Sequence, residues 1–361
     1  MEAHRIAIIG VGAVADAIAQ AIGALPNGQL VAGSCRTKEK GERFAARYHC
    51  KWYADTGEML TSERPEAAVV CTPSGAHLDA VLLCARNKIH VLCEKPLEIS
   101  TARIAQMVQA AREAEIILGG IFPQRFNPVV RAIHDAARAG RFGNLAVIAA
   151  AVPWWREDSY YGQGRWQGTM ALDGGGALFN QSIHSVDLMQ WLAAATMPDL
   201  PAHLNPVEEV FAFTVKRGHD QSLIEVEDTA VAVLRFRNGA LGQILGATSL
   251  WPGAHRRLRI AGRDGSVELH EDQLEVFRFR DERPEDAAIR QRFSGATRHQ
   301  GGSSDPMAFN YTNHKHNIAA FLEAIEQGRQ PHLSAAESAK AVAIVEACYE
   351  SARSGAAVKL R

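Results

Sequence analysis

The chain has 361 residues, of which 47% are hydrophobic and 22% charged. That is the make-up of a soluble protein able to bury a core without disulfide or metal staples, and at about 150 residues per domain it predicts two or three domains. Thirty-nine basic residues against forty acidic ones leave a formal charge of −1, which argues against nucleic-acid partners and against a polybasic membrane surface.

Six cysteines (Cys35, Cys50, Cys71, Cys84, Cys93 and Cys348) stand apart with no C-x-x-C pair. The expectation is a reduced, cytoplasmic protein without a zinc or redox motif. No apolar run approaches the ~18 residues of a membrane-spanning helix. Strand-like sequence begins by Arg5, with no leader pattern before it.

The first 120 residues alternate short apolar runs with helical patterns. Strands are predicted at Arg5–Ile9, Leu30–Ser34, Lys51–Tyr53, Ala67–Cys71, His90–Cys93 and Ile116–Ile121. Helices are predicted at Val14–Ile22, Lys38–Tyr48, Ala76–Asn87 and Thr101–Ala114. This alternation means βαβ units on a parallel sheet, an α/β fold with ligands at the carboxyl ends of the strands.

After Pro128 the pattern changes. A helix at Val129–Ala139 leads into the apolar run Leu145–Ala151, then a loop rich in Trp, Tyr, Arg and Gly, and a helix from about Asn180 to Ala194. Strand-like runs follow at Val207–Lys216, Thr229–Arg237, Ala240–Thr248, Arg257–Ala261 and Ser266–Leu269. Asn238-Gly239 and Asp264-Gly265 read as type I′ hairpin turns. This half is an α+β domain on a largely antiparallel sheet. Residues 280–305 read as a polar loop, and helices at Asn317–Gln327 and Ala335–Ala352 close the chain.

Gly10, Gly12 and Ala15 form G-x-G-x-x-A after a strand and at the start of a helix. The first glycine permits the turn, the second lets backbone approach a pyrophosphate, and the small third residue lets helix pack on strand. With Ala13 and Val14 opening the helix, its N-terminus offers N–H groups and a positive dipole end to phosphate. At the end of the second strand, Ser34-Cys35-Arg36-Thr37 contains no carboxylate for a ribose 2′-hydroxyl. Arg36 would instead pair with a 2′-phosphate, so NADP(H) is expected over NAD(H), with Cys35 and Arg36 in the site.

Gly10-x-Gly12, Thr72-Pro73 with His77, Glu94-Lys95-Pro96, and Gly174-Gly175-Gly176 followed by His184 and Asp187 together resemble the glucose–fructose oxidoreductase and inositol dehydrogenase family, also called Gfo/Idh/MocA. The resemblance covers essentially the whole chain, including Val226-Glu227-Asp228-Thr229 and the closing helices. It implies a Rossmann dinucleotide-binding domain over 1–122 and a C-terminal α+β domain over 123–361. The second domain would carry an open-faced sheet used for homodimer or homotetramer contacts, and the last helices would pack back on the first. It implies an NAD(P)-dependent dehydrogenase or reductase acting on a sugar, sugar derivative or cyclitol. It also implies a cofactor site including Thr72, Pro73, His77, Glu94 and Lys95, and a cis Lys95–Pro96 bond.

Oxidising a secondary alcohol needs a hydride acceptor and a base. His184 is the candidate base, and Asn180, His184 and Asp187, spaced i, i+4, i+7, would share a helix face. Asp187 would orient or stabilise the imidazolium, and the glycine run would admit ligand close to backbone. Lys95, at a strand end, would hydrogen-bond the substrate oxygen and stabilise a developing alkoxide. Inositol-dehydrogenase-like members carry Asp four residues before the histidine. Asn180 stands there instead, neutral, and is assigned to orienting substrate.

Residues 153–169 hold Trp154, Trp155, Arg156, Tyr160, Tyr161, Arg165 and Trp166, aromatic faces and guanidinium forks suited to a sugar. Trp155, Arg165 and Trp166 are expected at the substrate, as is Arg125, for which an ion pair is the equal alternative. His314 and His316 have no acidic or cysteine partner at suitable spacing, so no metal site is expected. Two other readings use the same residues: a hydride-shuttling glycoside lyase or hydrolase that retains its cofactor, and a catalytically silent nucleotide-binding sensor.

Overall fold

The computed structural model describes residues 3–162, 164–295 and 311–360. The chain divides into two compact units, Met1–Pro123 with Phe309–Ala339, and Gln124–Ala308 with Lys340–Arg361.

In the first unit the elements are β1 (His4–Ile9), α1 (Ala13–Gly23), β2 (Gly28–Ser34), α2 (Lys38–Tyr48), β3 (Lys51–Tyr53), α3 (Thr56–Glu63), β4 (Ala67–Val70), α4 (His77–Arg86), β5 (His90–Cys93), α5 (Thr101–Glu113) and β6 (Leu118–Gly120). All strand pairs are parallel, in the order β3-β2-β1-β4-β5-β6. The order reverses between β1 and β4, which places a ligand crevice at their carboxyl ends. β1 and β4 are near-continuous apolar runs because helices cover both sheet faces. The short α3 is absent from the sequence reading. Its signal was Asp55 three residues before Glu58: the Asp55 carboxylate accepts the Glu58 N–H at 2.7 Å and caps the helix.

The second unit opens with α6 (Pro128–Arg138), capped by Asn127, and β7 (Leu145–Pro153). A π-helical turn at Ala177–Gln181 precedes α7 (Ile183–Ala195). Then come β8 (Val207–Val215), β9 (Thr229–Phe236), β10 (Leu241–Ala247), β11 (Arg257–Gly262), β12 (Gly265–His270), β13 (Gln273–Phe279) and α8 (Pro284–Phe293). α9 (Tyr311–Glu326) belongs to the first unit, where Ile318, Phe321 and Leu322 join the core with Ala15, Ile18 and Ile22 of α1. Each large side chain so buried contributes about 1.5–3 kcal/mol. α10 (Ala335–Ser354) and β14 (Val358–Lys359) end the described chain.

The second unit's sheet runs β13-β12-β11-β7-β10-β9-β8-β14, antiparallel apart from β7 with β10. Along β9 burial alternates strictly, and Val231 and Val233 on its outer face are exposed beside Phe213 of β8 and Leu241 of β10.

Several local expectations change. Residues 280–305 are not one loop: α8 occupies Pro284–Phe293, and 296–310 lie outside the described residues. α8 has no apolar stripe, and only Pro284 at its start with Glu285 and Asp286 in its first turn announced it. β13 was also unforeseen. The two hairpins form, but neither turn is type I′, which needs positive φ at both central residues. Only Gly239 is left-handed in the first, at φ 83°, whereas Asn238, Asp264 and Gly265 are not. Gly265 is small for another reason: a Cβ there would lie 2.3 Å from the Phe279 ring.

Candidate active site

The turn after β1 is built by close backbone contact. Gly10 has φ 94°, and a Cβ on it would lie 2.7 Å from the Thr72 nitrogen, so glycine is required by conformation and by space. Gly12 differs: its φ is −119°, and a Cβ there would meet nothing within 4 Å. It precedes α1 with no side-chain cap, Ala13 is exposed, Val14 is half-buried and Ala15 is sealed against the sheet. The helix therefore presents unpartnered N–H groups to an open cradle, which fits a dinucleotide pyrophosphate. Two further polar atoms suit a ligand: among the described residues, Thr72 Oγ1 and Glu94 Oε1 are buried without a hydrogen-bond partner.

At the end of β2, the Ser34 carbonyl accepts the Gly10 and Val11 N–H groups. The Cys35 carbonyl takes the Trp52 indole N–H, and its thiol points to the Thr37 carbonyl. Arg36 is exposed.

Glu94 and Lys95 follow β5, and the Lys95–Pro96 bond is cis. Glu94 is 6% exposed, its Oε2 accepts the Lys95 N–H at 3.0 Å, and burial pushes its carboxyl up to about 7 against the pull of Lys95. His314, from α9, brings Nε2 to 3.8 Å from Glu94 Oε1. The sequence reading weighed His314 only as a metal ligand. A helix starting at Tyr311 rather than Asn317 places it beside this carboxylate instead. Pro73 is half-buried and leads into α4.

His77 is corrected. Its ring is 1% exposed, Nδ1 faces the Pro96 and Leu97 carbonyls at 3.1 Å, and Nε2 faces the Thr72 carbonyl at 2.9 Å. No polar ring atom is left to offer a cofactor. The imidazole instead ties the turn after β4 to the turn after β5, and burial lowers its pKa.

In the second unit the glycine run serves the protein's own packing. A Cβ on Gly176 would lie 1.7 Å from the Glu227 carbonyl oxygen, and one on Gly175 would lie 2.2 Å from the Tyr349 hydroxyl. The Glu227 carboxylate accepts the Gly176 and Leu178 N–H groups at 2.9 and 2.8 Å and the Tyr349 hydroxyl at 3.0 Å. Burial nevertheless pushes its carboxyl up to about 7. Glu227 and Tyr349 thus hold the π-helical turn that delivers α7, a role the sequence reading did not assign to either.

Asn180 lies on that π-helical turn, so it and His184 do not share one regular α-helical face as expected. Asn180 Nδ2 donates to Asp173 Oδ1 at 2.7 Å. His184 stands half-buried in the first turn of α7. Asp187 is fully buried, and Arg125 forks its carboxylate. For Arg125 this is the ion-pair alternative, and it supplies Asp187 with a strong cationic partner.

Trp155 is half-buried, donates to Glu157 at 2.8 Å and lies near the His219 ring. Arg165 is exposed and Trp166 half-buried. Arg156 turns inward: its guanidinium lies over the Trp154 and Tyr160 rings and donates to Gln181 Oε1 at 3.0 Å. Trp154, Arg156, Tyr160 and Gln181 therefore form a connected wall beside Asn180. Lys95 and Glu94 belong to the first unit, Asn180 and His184 to the second.

Residues 4–120 match the oxidoreductase family's NAD-binding Rossmann fold, and residues 135–360 match its C-terminal alpha/beta domain. The myo-inositol 2-dehydrogenase of Thermotoga maritima is 28% identical over 279 residues, 73% of this chain and 74% of that protein. The 1,5-anhydro-D-fructose reductase of Ensifer adhaerens is 28% identical over 267 residues, 73% of this chain and 75% of that one. The crystal structure of the WlbA dehydrogenase from Bordetella pertussis, in complex with NADH and UDP-GlcNAcA, superposes with a TM-score of 0.86 at 27% identity and covers 100% of this chain and 98% of that one. With both halves matched and the glycine turn, the E-K-P lysine and the G-G-G histidine in place, the chain belongs to the Gfo/Idh/MocA family of NAD(P)-binding oxidoreductases.

Proposed function

We propose that this protein is a dehydrogenase or reductase acting on a CH–OH group of a sugar, sugar derivative or cyclitol, as its named relatives do. A nicotinamide dinucleotide, when bound, supplies the hydride acceptor or donor. Gly10, Gly12, Ala13 and Val14 hold its pyrophosphate, with Thr72, Pro73 and Glu94 beside it. Lys95 donates a hydrogen bond to the reacting oxygen and stabilises its developing negative charge. His184 takes the hydroxyl proton in oxidation and returns it in reduction. Asn180 orients the substrate, and Trp155, Arg165 and Trp166 contact it. The observation that carries this reading is the open cradle at Gly12, together with Thr72 Oγ1 and Glu94 Oε1, which are buried and make no hydrogen bond among the described residues.

NADP(H) is the favoured cofactor, because Arg36 is exposed at the end of β2 and no carboxylate lies among residues 34–37. The protein works in the cytoplasm as a homodimer or homotetramer. The apolar outer face of the second unit's sheet, with Phe213 65%, Val233 53% and Leu241 57% exposed, supports self-association through it.

The test is a panel of sugars, sugar acids and cyclitols with both nicotinamide cofactors, followed by nicotinamide absorbance. Net turnover is expected on at least one compound, with kcat/KM about 10²-fold lower or worse in Lys95→Met and in His184→Ala. Near-wild-type rates in both variants overturn the mechanism. Bond cleavage without net change in the nicotinamide identifies a hydride-shuttling lyase instead.

A further inference from the structure

Asn180 sits within a directional chain of hydrogen bonds that has a cation at one end and an anion at the other. Arg156 donates to Gln181 Oε1 at 3.0 Å. Gln181 Nε2 donates to the Tyr160 hydroxyl at 3.1 Å and to Asn180 Oδ1 at 3.4 Å. Asn180 Nδ2 donates to Asp173 Oδ1 at 2.7 Å, and Asp173 Oδ2 accepts the Gly168 N–H at 2.8 Å. Both ends are buried, Arg156 at 4% exposure and Asp173 at 1%.

An amide has no charge of its own to set its direction, and its oxygen and nitrogen exchange places by a simple flip. Here a flip would set Asn180 Oδ1 against a carboxylate oxygen and Nδ2 against the Gln181 nitrogen. The terminal charges forbid both contacts and polarise the amides between them. Tyr160, Tyr161 and Tyr349 are among the titratable groups that feel Asp173, and Arg156 acts on the first two of them from the other end of the chain. The negative charge of Asp173 adds to burial in raising the three tyrosine hydroxyls.

We infer that Asp173 is a positioning residue for the reaction, acting through Asn180: its carboxylate holds that amide in one orientation and brings negative charge within one amide of the site four residues before His184. The inference rests on the reading that Asn180 orients substrate. Asp173 takes one of the two Nδ2 protons and so fixes the plane in which the other points.

The test is a cycle of Asp173→Asn, Asn180→Asp and the double variant, read by the pH profile of kcat/KM and by thermal unfolding. Asp173→Asn frees the amide to flip and lowers kcat/KM about tenfold or more. Asn180→Asp sets two carboxylates about 2.7 Å apart. They cannot both ionise, so the pair adds an ionisation to the pH profile and the protein loses thermal stability between about pH 5 and pH 8. In the double variant the amide at 173 donates to the carboxylate at 180, so the added ionisation disappears and stability recovers, while kcat/KM falls less than the product of the two single losses but stays below wild type because the Asn180 amide donor is gone.

Losses in kcat/KM that simply multiply in the double variant overturn the proposal, as does wild-type kcat and KM in Asp173→Asn. Coupling seen in unfolding but absent from kcat/KM makes Asp173 a purely structural residue and also overturns it. The reading of the site as a whole is judged separately, by the rates of His184→Ala and Lys95→Met.

Discussion

Arg125 grips Asp187 with two arms of its guanidinium, Nε to Oδ2 at 2.7 Å and Nη2 to Oδ1 at 2.6 Å, with both side chains buried. The guanidinium also lies 5.1 Å from the Trp191 ring. This fork anchors α7, the helix that carries His184. Breaking a buried pair from one side strands a charge, which costs about 3–5 kcal/mol, whereas replacing both partners by apolar groups is often neutral. Arg125→Ala and Asp187→Asn should therefore each lose stability on that scale, and Arg125→Met with Asp187→Leu should regain most of it. Urea unfolding measures this, and a loss below about 1 kcal/mol in either single variant contradicts it.

The two glycines of the first turn should separate stability from binding. Gly10→Ala drives a Cβ into the Thr72 backbone from a left-handed φ, so it should cost at least about 2 kcal/mol. Gly12→Ala meets open space and should stay within about 0.5 kcal/mol of wild type. It should nevertheless weaken dinucleotide binding about tenfold or more, because its methyl occupies the phosphate cradle. Thermal unfolding paired with titration of NADH and NADPH reads both effects. Equal destabilisation by the two variants would contradict this account.

Arg36 makes the sharpest cofactor prediction. A charge-assisted pair with a 2′-phosphate is worth about 1.5–3 kcal/mol. Arg36→Ala should lower the ratio of NADP to NAD affinity by about 10- to 100-fold, through loss of NADP affinity. An unchanged ratio in calorimetric titrations removes the argument for NADP(H).

His4 supplies a pH-dependent clasp in the first unit. Its Nδ1 lies 2.6 Å from Glu66 and its Nε2 lies 2.8 Å from Glu326. Desolvation lowers its pKa, but the two carboxylates outweigh it and the net shift is upward from 6.5. Its stabilisation is therefore complete below pH 6.5 and fades as pH rises through the raised folded-state value. Glu326, held below its ordinary 4.5 by His4, contributes above that value and loses its contribution as the solution turns more acid. The Tm gap between wild type and His4→Gln should be widest between pH 4.5 and 6.5 and narrow toward alkaline pH. A gap that widens with rising pH contradicts the assignment.

The parallel strands were legible because burial on both faces writes continuous apolar runs such as Ile6–Ile9 and Ala67–Val70, and glycines at fixed offsets mark the turn after β1. Elements held by polar contacts were not. α3 is short, with only Met59 and Leu60 as buried apolar residues behind its Asp55 cap, and the apolar residues of α8 form no stripe. Partnerships across long stretches of chain left no local mark. Spacing related Asp187 to His184 but left no sign that it is the Asp187 carboxylate which Arg125, 62 residues upstream, forks. Glycine spacing likewise pointed to a ligand at Gly175 and Gly176, where Tyr349 and Glu227 require the absence of a side chain. Asp173 went unnoticed because its link to Asn180 spans a π-helical turn that no periodicity announces.

The route of α9 has a consequence for synthesis. Ile18 and Ile22 emerge from the ribosome nearly 300 residues ahead of Ile318, Phe321 and Leu322, which cover the same core. At about 5–20 residues per second that is an interval of roughly fifteen seconds to a minute. The nucleotide-binding unit is begun before the second unit and completed only after most of it, so its nascent form carries a bare apolar stripe that a cell must shield. A fragment truncated after β6 would inherit that stripe permanently and would be expected to aggregate rather than bind dinucleotide.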